Sequence, residues 1–304
     1  MKEKLSQLGE FGLIDLIRKN VPLTKETVKG IGDDAAVLNF SKSKNDYELF
    51  TTDMMVEDVH FTRRMKPSSI GHKALACNIS DIAAMGGRPR AAVISLGVPP
   101  DLRSSVVQEI YSGISRLAEK FQVSIVGGDT VYSKKIIINV ALLGLVKKSE
   151  LVLRDGAAPE DMIFVTGALG RSFPTGKHLS FLPRVKESQF LVKHFHPTAM
   201  IDISDGLAAD LFHILNSSRV GACLYEEKIP RAKNASLNEA LSDGEDFELL
   251  FTLPKKEGER LLRMKQKAFH FYHIGEINQF SKRLVMIKKD KSQENLSARG
   301  FTHF

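Results

Sequence analysis

Two mixed α/β domains are what this sequence predicts, and three observations carry the expectation. Apolar segments of strand character alternate with segments of helical spacing; a polar, turn-rich break, KKSELVLRDGAAPED, falls at Lys147 to Asp161; and the alternation restarts beyond it. At 304 residues, 43% of them hydrophobic, the chain has the length of two domains and enough apolar side chains to bury a core in each. The domains are expected over residues 1–148 and 149–304, each α/β (α+β) in character.

In chain order, Leu8, Phe11, Leu13, Ile14 and Ile17 fall near helical spacing and predict a short amphipathic opening helix. Strands are expected over Ala35–Phe40, Glu48–Thr52 and Ala91–Val98. A helix of small and apolar residues, Ser69–Met85, lies between the last two and stops at Gly86-Gly87. Pro99-Pro100-Asp101 caps a second helix, Leu102–Phe121, followed by strands Val123–Val126 and Ile136–Val146. After the break come strands Met162–Thr166 and Ala199–Ile203, helix Leu207–Asn216 and strand Phe247–Leu253.

The net charge of +7 invites a polyanion partner until it is located along the chain. Met1 to Leu253 is neutral, with 31 basic and 31 acidic residues; Pro254 to Phe304, with 12 basic and 5 acidic, supplies the whole excess. Its runs, such as Lys255-Lys256 and Lys288-Lys289, lack aromatic interleaving and read as a solvated face, so nucleic acid is not the expected partner. Cys77 and Cys223 are the only cysteines and have no CxxC spacing, which points to a reducing, cytoplasmic setting without structural zinc. The N-terminal stretch mixes acids among its apolar residues and is not a secretory signal; no apolar run approaches the length of a membrane span.

The acids of the neutral part are placed unevenly. Asp33-Asp34 follow Gly30-Ile31-Gly32, Asp53 follows the strand ending at Thr52, and Asp81 lies in Asn78-Ile79-Ser80-Asp81. Asp129 follows Gly127-Gly128, and Asp202 and Asp205 bracket Ile203-Ser204 ahead of Gly206. A carboxylate at a strand end or beside glycine sits on rigid backbone that a ligand can approach closely. Five such segments predict one convergent acidic site. Two carboxylates 4 Å apart repel by about 4 kcal/mol at an effective dielectric of 20, so the group needs cations or raised pKa values. With hydroxyls at Thr51, Thr52, Ser80 and Ser204, and no His or Cys at metal spacing, the donor set is all oxygen. It suits Mg²⁺ shared with substrate phosphates.

One nucleotide motif is excluded. Gly170 to His178 resembles a P-loop, but five residues separate its glycines and His178 stands where a hydroxyl is required. His60, beside Phe61, is either a phosphate or substrate contact or a structural histidine; Asp243-Gly244-Glu245-Asp246 lie at a strand mouth where an amine-bearing ligand, or only solvent, is met.

Taken in order, GIGDDAAV (Gly30–Val37), TTDMMVEDVHF (Thr51–Phe61), NISDIAAMGGRP (Asn78–Pro89), VGGDT (Val126–Thr130), RDGAAPEDMIFVTGALG (Arg154–Gly170), AMIDISDGLAAD (Ala199–Asp210), GEDFELLFT (Gly244–Thr252) and GFTHF (Gly300–Phe304) resemble the thiamine-monophosphate kinases. The resemblance runs from Leu8 to the last residue. It implies the two-domain fold of the aminoimidazole ribonucleotide synthetase superfamily, a homodimer formed through the N-terminal domains, and transfer of the ATP γ-phosphoryl to thiamine monophosphate. It further implies that Asp34, Thr51, Thr52, Asp53, Asp81, Asp129, Asp202 and Asp205 hold several Mg²⁺ ions; that Tyr111, Gly128, Asp129, Arg154 and Ser204 contact ATP; and that His60, Glu245 and Phe301 meet the substrate. Asp53, Asp129, Arg154 and Asp205 are the residues expected to matter most for catalysis.

The sequence also departs from the pattern. Asp58 stands where relatives commonly have glycine, Val131-Tyr132 follows GGDT in place of a Thr-Arg-like continuation, Asp243 replaces a glycine, and Ser172 to Pro183 is shorter than usual. Within the superfamily, selenophosphate synthetase needs a reactive N-terminal cysteine and the hydrogenase maturation protein a C-terminal one; neither pattern is met. The alternative of another class is a catalytically impaired ATP/Mg²⁺-binding protein whose basic tail contacts nucleic acid.

Overall fold

The computed structural model describes residues 4–264 and 268–301. The first half of the chain runs α1 (Leu5–Asn20), β1 (Thr27–Lys29), β2 (Ala36–Leu38), β3 (Asp46–Val56), α2 (Pro67–Ala84), β4 (Arg88–Val98), α3 (Ser104–Phe121), β5 (Ser124–Tyr132) and β6 (Ile137–Lys147). Its strands form one six-stranded sheet in the order β1-β2-β3-β6-β4-β5. All neighbours are antiparallel except β4 and β5, which run parallel and are joined through α3.

The second half runs β7 (Met162–Val165), α4 (Ser172–Thr175), a 3₁₀ turn at Lys177–Leu179, α5 (Val185–His194), β8 (Ala199–Asp202), α6 (Leu207–Ser218) and β9 (Gly221–Tyr225). It continues through a 3₁₀ turn at Glu226–Lys228, α7 (Leu237–Ser242), β10 (Leu249–Leu253), α8 (Lys255–Arg263), β11 (Tyr272–Asn278), β12 (Leu284–Ile287) and β13 (Gln293–Leu296). These strands form a seven-stranded sheet, β13-β12-β9-β11-β7-β10-β8, with one parallel pair, β9 and β12.

The helix at the centre of the molecule is α2. Pro67 opens it at a position where a missing N–H costs nothing, and its apolar residues are distributed all round, the pattern of a helix buried on every side. It lies under β3, β4 and β6, against α3, and also reaches α5 and β8 of the second half. The crossing with α3 is close because it is made on glycines: a Cβ on Gly71 would lie 1.9 Å from the Ile110 carbonyl oxygen, and one on Gly113 1.8 Å from that of Ser68. Ile79, Ile82, Ile110, Ile114, Ile138 and Leu142 fill this core; each such side chain contributes roughly 1.5–3 kcal/mol on burial. In the second half, Leu211, Ile214 and Leu215 of α6 pack on one face of the sheet, and Leu191 and Phe195 of the α5 segment pack on the other with Phe164 and Phe251.

Two strands run on past the residues that the sequence marks as their ends. β3 continues through Asp53 to Val56, because its ladder with β6 is unbroken from Asp46↔Lys147 to Val56↔Ile137. β5 continues through Gly127-Gly128-Asp129 to Tyr132 along β4. In both, pairing overrides the local strand breakers. Elements not anticipated, among them α5, α8, β9 and β11, run for only five to ten residues, too short for a period to stand out in the sequence. No helix among the described residues is long and apolar enough to cross a membrane.

Candidate active site

Alternation along β3 sorts its polar residues. Thr51 is buried toward α2, and Asp53 lies on the same face, its backbone N–H donating to Asn78 Oδ1 at 3.2 Å. Thr52 points the other way, its hydroxyl donating to Asn139 Oδ1 at 3.2 Å and to the Val140 carbonyl at 3.0 Å. Of the two threonines, the structure therefore brings the Thr51 hydroxyl to the acids and turns that of Thr52 away.

Three carboxylates from three elements meet between the halves. Asp34 before β2, Asp81 on α2 and Asp202 at the end of β8 each offer an oxygen within 4.8 Å of the others. The Thr51 hydroxyl donates to Asp81 Oδ2 and the Ser80 hydroxyl to Asp202 Oδ2, both at 2.5 Å. Arg154 enters from the connection between the halves, donating to Asp34 Oδ1 at 2.7 Å, and its backbone N–H donates to Asp33 Oδ2 at 3.2 Å. At that spacing each ionised pair repels by roughly 3 kcal/mol at an effective dielectric of 20. Burial, then the charge of Asp34, pushes Asp202 up to about 8 and Asp53 up to about 6. Burial, then Asp53, Asp202 and Asp34, raises Asp81 well above the carboxylate range, and burial with Asp34 brings Asp33 to about 7. One guanidinium does not neutralise this group, and Asp34 Oδ2 is buried without a hydrogen-bond partner. An all-oxygen set with excess charge and an orphaned acceptor fits a hard divalent cation.

A second group adjoins it. Asp205, Asp210 and His213 offer atoms within 4.8 Å of one another, and Asp210 Oδ2 accepts the N–H groups of Asp205 and Gly206 at 3.1 Å each, fixing the turn into α6. Burial, then Arg154, lowers His213 to about 4, so it is neutral near pH 7. Its ring meets Phe11 of α1 at 4.7 Å between centroids. The Phe301 N–H donates to the Asp205 carbonyl at 3.0 Å, which sets Phe301 beside this turn. Residues 302–304 of the GFTHF motif lie outside the described residues.

The Ser204 carbonyl accepts the Glu245 N–H at 2.6 Å, laying residues 243–247 along the Asp202–Asp205 turn. Glu245 is in the left-handed region, φ +66°, and its carboxylate is ion-paired with Lys73 of α2. Lys73 also donates to the His60 carbonyl at 3.1 Å, so one buried ammonium ties the His60 loop to the Glu245 loop. His60 Nδ1 accepts the Val56 N–H at 3.0 Å, which leaves the ring proton on Nε2. The sequence marks Lys73 only as the one lysine or arginine of α2.

The short segment before α5 packs against the same loop. Ser172 donates to Asp246 Oδ1 at 2.6 Å, and Phe181 stacks on Phe247 at 4.1 Å. Lys177, the lysine of the excluded P-loop, is ion-paired with Asp246 at 3.3 Å and with Glu248 at 3.1 Å.

Not every expected site residue joins the acids. Asp129 and Gly128 lie on β5, the exposed edge of the sheet, with β6 and β4 between it and β3; the Asp129 carboxylate accepts its neighbour Thr130 N–H at 2.8 Å. Of the five segments expected to converge, three supply the carboxylates that lie within 4.8 Å of one another, Asp53 acts on them by its charge, and Asp129 stands on the edge strand. Tyr111 is half-buried on α3 against the first core, where burial raises its phenol.

Two domains of this build with a carboxylate cluster at their seam define a class. The chain matches the family models of AIR synthase related protein, the N-terminal domain over residues 32–146 and the C-terminal domain over 157–286. Within that class it is 38% identical to the thiamine-monophosphate kinase of Aquifex aeolicus over 86% of this chain and 92% of that one, and 34% identical to that of Bacillus subtilis over 98% and 100%. The solved structure of AaThiL complexed with AMPPCP and TMP superposes with a TM-score of 0.87 at 33% identity, covering 100% of both chains. The chain belongs to the thiamine-monophosphate kinase family.

Proposed function

We propose that the protein transfers the ATP γ-phosphoryl to thiamine monophosphate, giving thiamine diphosphate and ADP. The observation that carries the reading, beyond family membership, is the overcharged all-oxygen cluster of Asp34, Asp81 and Asp202, with the orphaned Asp34 Oδ2 and the charge of Asp53 acting on it. Mg²⁺ held by Asp34, Asp53, Asp81, Asp202 and Asp205 would screen the phosphates of two anionic substrates. Arg154, permanently charged, holds Asp33 and Asp34 in place and presents a cation to phosphate oxygens. A terminal oxygen of the monophosphate, ionised at neutral pH, attacks the γ-phosphorus in line; the bond to the bridging oxygen breaks and ADP leaves with the electron pair. No side chain has to remove a proton, so positioning and charge carry the rate. His60, Glu245 and Phe301 flank this centre and are the substrate contacts of the reading.

A homodimer belongs to the same proposal. The sheet face opposite α2 exposes Phe50, Met54, Val93 and Leu143, with Phe50 and Leu143 directly paired, and the unpaired edge strand β5 adds Val126, Val131 and Tyr132. An apolar sheet face next to a free edge favours a second copy as its cover. It would place Gly128 and Asp129 at the contact, and the domains are taken as 1–148 and 149–304.

Several residues of the basic C-terminal stretch are paired locally, Arg260 with Glu257, Arg263 with Glu259 and Lys288 with Glu294, which speaks against a nucleic-acid surface. The test incubates purified protein with ATP, Mg²⁺ and thiamine monophosphate and follows thiamine diphosphate. Absence of product at high enzyme concentration, with thiamine monophosphate failing to bind, overturns the assignment.

A further inference from the structure

Away from the carboxylate cluster, a cavity of about 380 Å³ opens on the seam between the two halves. One wall is the start of β4 and the end of α3, with Arg88, Arg90 and Lys120; the other is the entry to α5, with Arg184 and Lys186. Against these five cations the lining holds one carboxylate, Glu187. Two of the cations are engaged: Arg88 donates to Gln189 Oε1 at 2.5 Å, and Arg184 is paired with Glu248 and Glu187. The side chains of Arg90, Lys120 and Lys186 make no hydrogen bond or ion pair with any described residue. Phe121, Leu182 and Pro183 supply an apolar surface beside them.

Cations gathered around one concavity repel one another, and a bound anion removes that repulsion. The N-terminus of α5 adds to it: no side chain caps the helix, and its dipole presents positive charge to the same space. The volume lies in the range of small-molecule sites, and the mixture of apolar wall and unpaired cations selects a ligand with an apolar part and a strongly anionic group.

We propose that this cavity is a second binding site, separate from the catalytic centre, for a small organic phosphate. Occupancy acts on the substrate side of the molecule through Arg184. That residue lines the cavity and clamps Glu248 with hydrogen bonds of 2.6 and 2.7 Å, and Glu248 follows Asp246 and Phe247 in the loop that carries Glu245. The regulatory role rests on the kinase reading; the binding site itself does not.

Calorimetric titration of the whole protein in Mg²⁺ with thiamine diphosphate, with ADP and with inorganic pyrophosphate tests the site and separates its sources. The expected result is two classes of site for at least one organic probe in the wild type, and loss of one class, at least tenfold in affinity, in Lys120→Glu/Lys186→Glu with basal kcat and KM unchanged. The neutral pair Arg90→Gln/Lys186→Gln serves the same comparison should the charge reversal fail to fold. A single class for every probe in the wild type, binding of pyrophosphate alone, or two classes surviving in both variants overturns the proposal. Failure of the kinase reading would show separately, as absent turnover with the cavity's class of site intact.

Discussion

Lys73 and Glu245, 172 positions apart, are joined as an ion pair that closes the seam between the two halves. The lysine side chain is 2% exposed and the glutamate 24%, so the ammonium depends on its partner far more than the carboxylate does. Leaving a buried charge unpaired costs about 3–5 kcal/mol, and partial exposure of Glu245 reduces what its own loss of charge removes. Glu245→Gln is therefore expected to destabilise by about 2 kcal/mol or more, since Lys73 keeps only the His60 carbonyl, while Lys73→Met is milder because its apolar stem is retained. Urea unfolding of both variants checks the order; a Lys73→Met loss larger than that of Glu245→Gln contradicts it.

Asp53 separates function from stability. Its charge contributes to raising Asp81, while the bond that anchors it to α2 is made by its backbone, the N–H donating to Asn78 Oδ1, and not by its carboxylate. Asp53→Asn should lower turnover on the order of 10²-fold or more, because electrostatic positioning at the transferring phosphoryl is removed. In metal-free buffer the same variant should be as stable as the parent or up to about 1 kcal/mol more so, through relief of like-charge repulsion. Added Mg²⁺ should raise the melting temperature of the parent more than that of the variant. Retained turnover, or an equal Mg²⁺ response, counts against the metal role.

How much of this was legible beforehand follows from what each residue's neighbours are. Asp81, inside α2, is marked only by the hydroxyl of Ser80 next to it, whereas Asp34 and Asp202 lie beside a turn or strand end, and local sequence reports such backbone. Asp129 stood out for the same local reason, yet β5 is three positions from β3 in the sheet order, a fact of pairing that no short motif encodes. Thr51 and Thr52 were equivalent until the ladder with β6 fixed which faces α2. Lys73 was hidden because its partner lies in the other half of the chain, and Asp210 because its work is to accept two N–H groups of its own turn.

Glu248 supplies a pH dependence remote from the acid cluster. Burial pushes its carboxyl up, but the hydrogen bonds from Arg184 and the charges of Lys177 and Arg184 outweigh that, and the net shift is below the ordinary 4.5. A depressed folded pKa means stability that is fully present above the unfolded value and lost as pH falls through the folded one. Glu248→Gln should therefore cost about 2 kcal/mol at neutral pH, with the difference from the parent narrowing below about pH 4. Unfolding curves at pH 7, 4 and 3 read this directly; a gap that stays constant with pH would show that the charge is not what stabilises.

Asp58 holds the loop between β3 and α2 in a turn that glycine would adopt without strain. It sits at φ +65°, the left-handed region that glycine occupies without strain, and its N–H donates to the Phe61 carbonyl at 2.7 Å to close the loop that carries His60. Aspartate tolerates that region better than most residues, and its carboxylate gains Lys135 at 3.2 Å, although an exposed pair of this kind contributes only about 0–1 kcal/mol. The two effects nearly offset for glycine, so Asp58→Gly should change stability by less than about 0.5 kcal/mol. Asp58→Ala loses the pair and keeps the strain, and should be about 1 kcal/mol less stable than the glycine variant. Because the loop positions His60, the alanine variant should also raise KM for thiamine monophosphate while leaving KM for ATP alone. Equal stabilities for the glycine and alanine variants would mean that the backbone at this position is not constrained as the structure has it.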